Sequence, residues 1–443
     1  MTEQRRRTIR ILLALGGLSL AAAALVMDRL GGVPQFGARQ AALLAAGLAA
    51  FGASFVPRLW GRLALGFASI LVTLGMAEVA LRLAAAEHFA PILAHDPLLH
   101  YKPIPGAAHY FDVDPANGGG KVLVRINQAG YRGDELDPAH TRPRVVVYGD
   151  SNVIAEFSAT EKTFPVQLAR QLGARGLPVE AVNAGVSGYG PDQAALRLQH
   201  EIATLRPELV VMVVFASNDY GDLIRNKLFT LDPQGRLVRR DSTLAPGLRR
   251  GFDSAIRSPM VMRVASRAWL GLQGRRQSAN TPEDFLKAAA DDWRGDPSPT
   301  VTNLLNDYWD ADIALEPDGA SARHKVRLMS EVIAQMKATA TRGGSRLALV
   351  VIPSPIDALP DNDLLNVDAA RHPRYRRDAL VAPLLEAARA HGVPCVDLYA
   401  AFTAGDTATY YRRRDDHWSD RGQALAAELT ARLVLEQGLL RPR

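Results

Sequence analysis

Long uncharged apolar runs place the first constraint on this chain, because they crowd into its first 84 residues and do not recur afterwards. Ile11–Met27 contains no charge and follows Arg5, Arg6, Arg7 and Arg10. A basic end followed by an apolar run marks an N-terminal anchor or uncleaved signal whose basic end stays in the cytoplasm. Ala41–Val56 and Leu63–Leu83 follow, each close to the roughly 20 residues a helical span needs, and the last carries Glu78 and Arg82. Three spans are expected. With Arg5 to Arg10 inside, three spans return the Arg58/Arg62 loop to the inside and send residue 85 onward outside. Two spans would leave the remainder in the cytoplasm, and a cleaved first run would leave the outcome to the other two. The chain thus divides into a membrane region, 1–84, and a soluble region, 85–443.

Charge follows the same division. The formal net charge is +6, and residues 1–84 hold nine Arg against Glu3, Asp28 and Glu78, an excess of six that accounts for all of it. The soluble region is neutral, so no basic stripe argues for a nucleic-acid partner. Cys395 is the only cysteine, which excludes an internal disulfide and a Cys-rich metal site. It reads as a small buried hydrophobe in the run Val393–Leu398.

From residue 145 short β-branched runs alternate with helical patterns, the signature of a parallel sheet in an α/β domain. The expected strands are Val145–Tyr148, Val179–Val182, Leu209–Phe215, Leu347–Ile352 and Val393–Leu398. Phe164, Leu168 and Leu172 recur at helical spacing, as do Ala195, Leu198, Ile202 and Leu205 behind Pro191, and Val326, Met329, Ile333, Met336 and Ala340. Residues 85–144, rich in Gly, Pro, Asn and Asp, read as a small β-containing lead-in. Residues 222–321 are too long for a structureless loop and read as a partly helical insertion that could cap the active site, though packing alone would equally explain its aromatics Trp269, Trp293, Tyr308 and Trp309.

In open parallel sheets ligands bind outside the carboxyl ends of the strands. Here those ends are polar: Gly149-Asp150-Ser151, then Asn183 to Gly190, then Ser217-Asn218-Asp219. A serine hydroxyl needs an adjacent base, commonly a histidine oriented by a carboxylate, and donors for the oxyanion. Asp415-Asp416-His417-Trp418-Ser419 supplies base and carboxylate before the last helix. Gly188 can present a backbone N–H where a side chain would obstruct, the Asn218 amide can donate beside it, and Ser151 adds its own N–H at the positive end of a helix. Asp150 reads as structural, holding the turn. Gly118-Gly119-Gly120-Lys121 lacks the pattern of a phosphate loop, and no metal-ligand spacing is found, so neither cofactor nor metal is expected.

These blocks, in this order, resemble the SGNH (GDSL-like) hydrolase superfamily over residues 144–219 and 395–435. The stretch Asn127-Gln128-Ala129-Gly130-Tyr131-Arg132 is similar to membrane-anchored members, and the Asp-x-His spacing with a following Trp is similar to the alginate O-acetyltransferase branch. The resemblance implies a three-layer α/β/α, flavodoxin-like fold with a five-stranded parallel sheet. It implies catalytic Ser151, His417 and Asp415, with Ser151, Gly188 and Asn218 forming the oxyanion hole. Two departures stand out. Ala216 replaces the glycine that usually opens the Asn-Asp block, and Arg414 occupies the usual position of the carboxylate. Asp415 is therefore the expected third member, with Asp416 or a dyad lacking a carboxylate as alternatives.

The expected activity is that of a serine esterase or O-acyltransferase working through a Ser151 acyl-enzyme on acyl esters of an envelope or exported polysaccharide, alongside envelope polysaccharide machinery. The expected location is the bacterial inner membrane, with the catalytic domain on the periplasmic side. The rival from another class is a non-catalytic glycan-binding or assembly protein that keeps the cleft and has lost turnover.

Overall fold

The structure, a computed structural model, describes residues 3–31, 38–273, 281–295, 297–304 and 308–440. It divides into two compact units, Met1–Ala85 and Ala86–Arg443.

The first unit consists of helices Glu3–Gly31, Ala38–Ala53 and Pro57–Ala84. Among the described residues one helix, Pro57–Ala84, is long and apolar enough to cross a membrane, and none of its apolar window is buried. Leu65, Val72 and Met76 face outward, which a core helix does not do. Glu78 and Arg82 lie one turn apart and pair at 2.7 Å, so the two charges offset each other. Ala38–Ala53 has 16 residues, about 24 Å of helix against a hydrocarbon core of about 30 Å. The first apolar run lies on Glu3–Gly31, and the side chains of residues 26–31 fall outside those described. Of the three expected spans, Pro57–Ala84 is the one that meets the physical requirement among the described residues, and the expectation for the first run lies partly outside them. The first two helices touch through glycine: a Cβ on Gly17 would lie 2.6 Å from Phe51 N, and one on Gly47 would lie 2.6 Å from Ala21 N.

The second unit is built on a five-stranded sheet. Two short antiparallel hairpins lead in, β1 (Leu93–Asp96) with β2 (His100–Pro103) and β3 (Ala108–Asp112) with β4 (Lys121–Arg125). The sheet strands β5 (Arg144–Tyr148), β6 (Glu180–Asn183) and β7 (Leu209–Ala216) come next. The insertion carries β8 (Phe229–Leu231), β9 (Leu237–Arg239), β10 (Thr243–Leu244) and β11 (Thr300–Val301). Strands β12 (Arg346–Pro353) and β13 (Cys395–Asp397) complete the sheet in the order β13-β12-β7-β5-β6, every pair parallel. All five strands read from the sequence are present. The last is the shortest, because Asp397 turns to cap helix Leu398–Thr403 by accepting the Tyr399 N–H.

Every residue of β5 and β7 is buried, as a parallel strand covered on both faces must be. Helices Pro191–Leu205 and Ala320–Arg342 bury their apolar stripes on one face of the sheet, while Phe164–Gly173 and Asp420–Glu436 pack on the other. Strand order reverses at β5, whose neighbours β6 and β7 lie on opposite sides. In open parallel sheets ligands bind outside the carboxyl ends of the strands at such a switch point. Cys395 is a free, half-buried thiol, pushed up to about 12 by burial and the nearby Asp397.

The insertion is partly helical, with Pro246–Arg257, Met260–Gln273, Pro282–Arg294 and Ala311–Leu315. Its return to the sheet is ionic. Lys325 is fully buried on helix Ala320–Arg342 and donates to Asp310 at 2.8 Å and Asp312 at 2.9 Å. Asp310 in turn donates its amide to the Ser217 carbonyl at 2.6 Å and accepts the Gly221 N–H at 3.1 Å, gripping the turn that holds Asn218 from both sides.

Removing Lys325 leaves two buried carboxylates without their cation. Lys325→Met is expected to cost about 3–5 kcal/mol at neutral pH, read from the urea midpoint. Burial already raises the Asp310 carboxyl, so losing the cation raises it further and the deficit shrinks as pH falls into the carboxylate range. A variant within about 1 kcal/mol of wild type at pH 7 would contradict this account.

Candidate active site

Strand β5 ends in Gly149, and a one-turn helix, Ser151–Ile154, begins at once. Asp150 caps it: Oδ1 accepts the Asn152 N–H at 2.9 Å and Oδ2 accepts the Asn152 side-chain amide at 3.1 Å. The turn is tight because two glycines allow it. A Cβ on Gly149 would lie 2.5 Å from Val153 Cγ2, and one on Gly185 would lie 2.3 Å from Ile154 N. At the far end Ala155 takes φ +53°, and the Arg132 guanidinium collects the Ile154, Ala155 and Ser158 carbonyls. Arg132 is 4% exposed, so its charge is spent almost entirely on holding this turn.

The late loop carries His417, half-buried with a side-chain exposure of 23%. Its Nδ1 lies 2.5 Å from Asp415 Oδ1 and 3.4 Å from Asp416 Oδ1, and Asp415 Oδ1 also accepts the His417 backbone N–H at 3.0 Å. Asp415 is the closer partner. Arg414, at the position where the resemblance expects a carboxylate, is exposed in a left-handed conformation, φ +55°. Arg412 lies 4.0 Å from Asp415 Oδ2, stacks 5.3 Å above the Phe157 ring and donates to the Phe157 carbonyl at 3.3 Å. Burial lowers the imidazole pKa, but the bond to Asp415 and the charges of Asp416, Asp415 and Asp150 outweigh it and raise it to about 10. The buried Asp415 carboxyl is held below its ordinary value, chiefly by His417, against the opposing effect of burial. Asp415, Asp416 and His417 offer ligand atoms within 4.8 Å of one another, but Nδ1 is already engaged with Asp415.

The segments that carry Ser151 and His417 are joined because the chain neighbours of these two residues bind each other. Trp418, 1% exposed, donates its indole N–H to the Asn152 carbonyl at 2.9 Å and its backbone N–H to Asn152 Oδ1 at 3.2 Å. Phe157 stands edge-on to the His417 ring at 5.9 Å. Ser158 Oγ donates to Asp420 at 2.7 Å, fastening the same two segments a second time.

The oxyanion candidates lie at the ends of β6 and β7. Gly188 is the third residue of a turn closed by Tyr189 N–H to Val186 carbonyl at 3.1 Å, and its φ of +72° suits glycine. Among the described residues no backbone acceptor takes the amide N–H of Ser151 or of Gly188. Asn218 precedes helix Asp219–Asn226 and is 6% exposed. Its side-chain amide reaches only Asp222 Oδ2 at 3.5 Å, a contact too long to hold it. Asp219 accepts the Phe215 N–H at 2.7 Å and is pushed well above the usual carboxylate range by burial and by Asp150 and Asp222.

Ser151, Gly188 and Asn218 thus follow the carboxyl ends of β5, β6 and β7, and the loop of Asp415 and His417 is tied to the first of them through Trp418 and Asn152. Sequence reading missed Arg132 as the clamp on the turn, Asn152 as the partner of Trp418, Arg412 beside Asp415, and Glu156. Arg132 and Trp418 were visible as parts of distinctive stretches, but their partners are up to 266 residues away and no local spacing exposes such a pair.

Residues 310–442 match the family described as "SGNH hydrolase-like domain, acetyltransferase AlgX". No curated protein matches. Among solved structures, a lipase/acylhydrolase from Enterococcus faecalis is similar at 16% identity and TM-score 0.34, over 68% of this chain and 98% of that one. An acetyl xylan esterase, AlAXEase, is similar at 12% identity and TM-score 0.35, over 66% and 99%. An esterase, EstA, from Pseudoalteromonas sp. is similar at 10% identity and TM-score 0.32, over 66% and 97%. The matched segment contains the base loop with Asp415 and His417 and two of the five parallel strands, β12 and β13, and over that segment the chain is similar to the SGNH hydrolase-like family.

Proposed function

We propose that this protein is a serine-dependent esterase or O-acyltransferase acting on acyl, chiefly acetyl, esters of an envelope or exported glycan. The observation that carries the reading is the double hydrogen bond between Trp418 and Asn152, which sets the residue beside Ser151 against the residue beside His417. The acetyltransferase description of the matching family favours an acetyl group.

In the proposed reaction His417 takes the Ser151 hydroxyl proton as Oγ attacks the ester carbonyl, with Asp415 orienting the imidazole and offsetting its charge. The oxyanion accepts hydrogen bonds from the Ser151 and Gly188 amides and from the Asn218 side chain. Collapse expels the alcohol, protonated by His417, and leaves an acyl-Ser151 ester. His417 then activates the second acceptor. Water makes the protein an esterase; a sugar hydroxyl makes it a transferase. We further propose that Pro57–Ala84 anchors the chain in the bacterial inner membrane, and that the basic N-terminus places the second unit on the periplasmic side.

Fluorophosphonate labelling tests the first step. Wild type is expected to label, with labelling falling at least about 10⁴-fold in Ser151→Ala and in His417→Ala. A folded wild type that never labels would support the rival, a glycan-binding protein without turnover. Supplied with a donor ester and an oligosaccharide, a transferase moves acetyl to sugar in preference to water, and hydrolysis alone would count against that half of the proposal.

The raised His417 pKa sets a pH dependence. The base must be neutral, so the rate of labelling is expected to rise with a midpoint well above the ordinary histidine value, towards 10. Asp415→Asn and Asp416→Asn each remove an anion beside the imidazolium and shift the midpoint down; an unmoved midpoint in both would contradict the assignment. The same raised pKa stabilises the fold below about 6.5, an effect lost as pH climbs through 10.

A further inference from the structure

The Ser187–Gly188 peptide carries both the carbonyl of Ser187 and the N–H of Gly188. In a planar trans peptide these two groups point in opposite directions, so whatever holds the carbonyl aims the N–H. Tyr101, on β2, donates its hydroxyl to the Ser187 carbonyl at 3.0 Å. We propose that Tyr101 is a positioning residue for the oxyanion hole, fixing the Ser187–Gly188 peptide so that the Gly188 N–H faces the carbonyl under attack at Ser151. The proposal rests on the hydrolytic reading above and deepens it, because it assigns a role in that chemistry to the lead-in hairpin.

Three features make Tyr101 a rigid support. Its side chain is fully buried, its ring stacks on Phe252 of the insertion at 5.3 Å and 17°, and Tyr189 packs edge-on at 5.2 Å. Its backbone is held too, since the Tyr189 hydroxyl donates to the Tyr101 carbonyl at 2.5 Å. The preceding residues are tied to the helices beneath: Gln193 Nε2 donates to the Leu99 carbonyl at 2.7 Å, and His100 Nε2 lies 2.9 Å from the Asn226 carbonyl. Ser187 is gripped from the other side as well, where its hydroxyl donates to Glu156 at 2.6 Å. A peptide at the head of a turn would otherwise be free to flip, because the Val186–Tyr189 hydrogen bond closes the turn in either orientation of the central peptide. Phe252 therefore links the insertion to the oxyanion peptide through one ring stack.

Tyr101→Phe removes the hydroxyl and keeps the ring. The expected result is a fall of about 5–30-fold in both kcat and the rate of fluorophosphonate labelling, with KM within about twofold of wild type, since the loss is confined to the charged intermediate. Inhibition by phenylboronic acid, which forms a tetrahedral anionic adduct on serine, weakens by a similar factor. Phe252→Ala, on the half-buried face of Pro246–Arg257, loosens the ring but leaves the hydroxyl, and is expected to lower the labelling rate in the same direction by about 2–5-fold, so a folding defect at position 101 does not block the test. Folded Tyr101→Phe and Phe252→Ala proteins that label and turn over within twofold of wild type overturn the proposal while leaving the hydrolytic reading intact. A wild type that does not label at all overturns that reading, and the proposal with it.

Discussion

Two hydrogen bonds from Trp418 to Asn152 join the start of the domain to its end, and the site depends on them. The carboxyl end of β5 and the N-terminus of the last helix share no strand pairing, so only side-chain and loop contacts can join the segments of Ser151 and His417. An indole buried to 1% exposure serves well because burial makes an unmade bond costly: a Trp N–H withdrawn from water must find an acceptor or lose about 1–3 kcal/mol. The Asn152 carbonyl is that acceptor. Ser158, Asp420 and Gln423 repeat the fastening one turn away, and Asp150 holds the Asn152 side chain from below.

The surroundings of His417 are acidic. Asp415, Asp416 and Asp150 all favour its protonated form, and Glu156, itself pushed above its usual value by burial, feels the imidazole in return. Arg412 and Arg132 counter part of this charge while making structural hydrogen bonds to the nucleophile segment. The same arginines thus hold the backbone and temper the field. This double use explains why they are nearly buried although each carries a full charge.

The regions that looked least informative in the sequence frame the site. The lead-in hairpin supplies Tyr101 to the Gly188 turn, and Asn117, near the tip of the second hairpin, exchanges hydrogen bonds with the Arg413 backbone beside the base loop, at 2.7 and 3.1 Å. The insertion supplies Asp310 to the Asn218 turn and Phe252 to Tyr101. Each reaches the site through a few buried contacts of long sequence separation.

By itself the sequence determined the sheet and singled out the candidate groups of the site. Strands buried on both faces must be continuous runs such as Leu209–Ala216, helices on such a sheet must show a 3.6-residue stripe, and glycine is required where a backbone must come within reach of Ile154 at Gly185. These are local demands, and local residues answer them. Tertiary structure alone decided which carboxylate meets Nδ1, since Asp415 and Asp416 are adjacent in sequence and differ only in how the loop turns. It alone decided what Tyr101, Arg132 and Arg412 do, because hydrogen bonds between segments far apart in the chain leave no periodic mark on either one. Among the described residues it also left one helix, Pro57–Ala84, meeting the length and apolarity of a span, and Ala38–Ala53 falls short because a span needs continuous helix length as well as apolar composition.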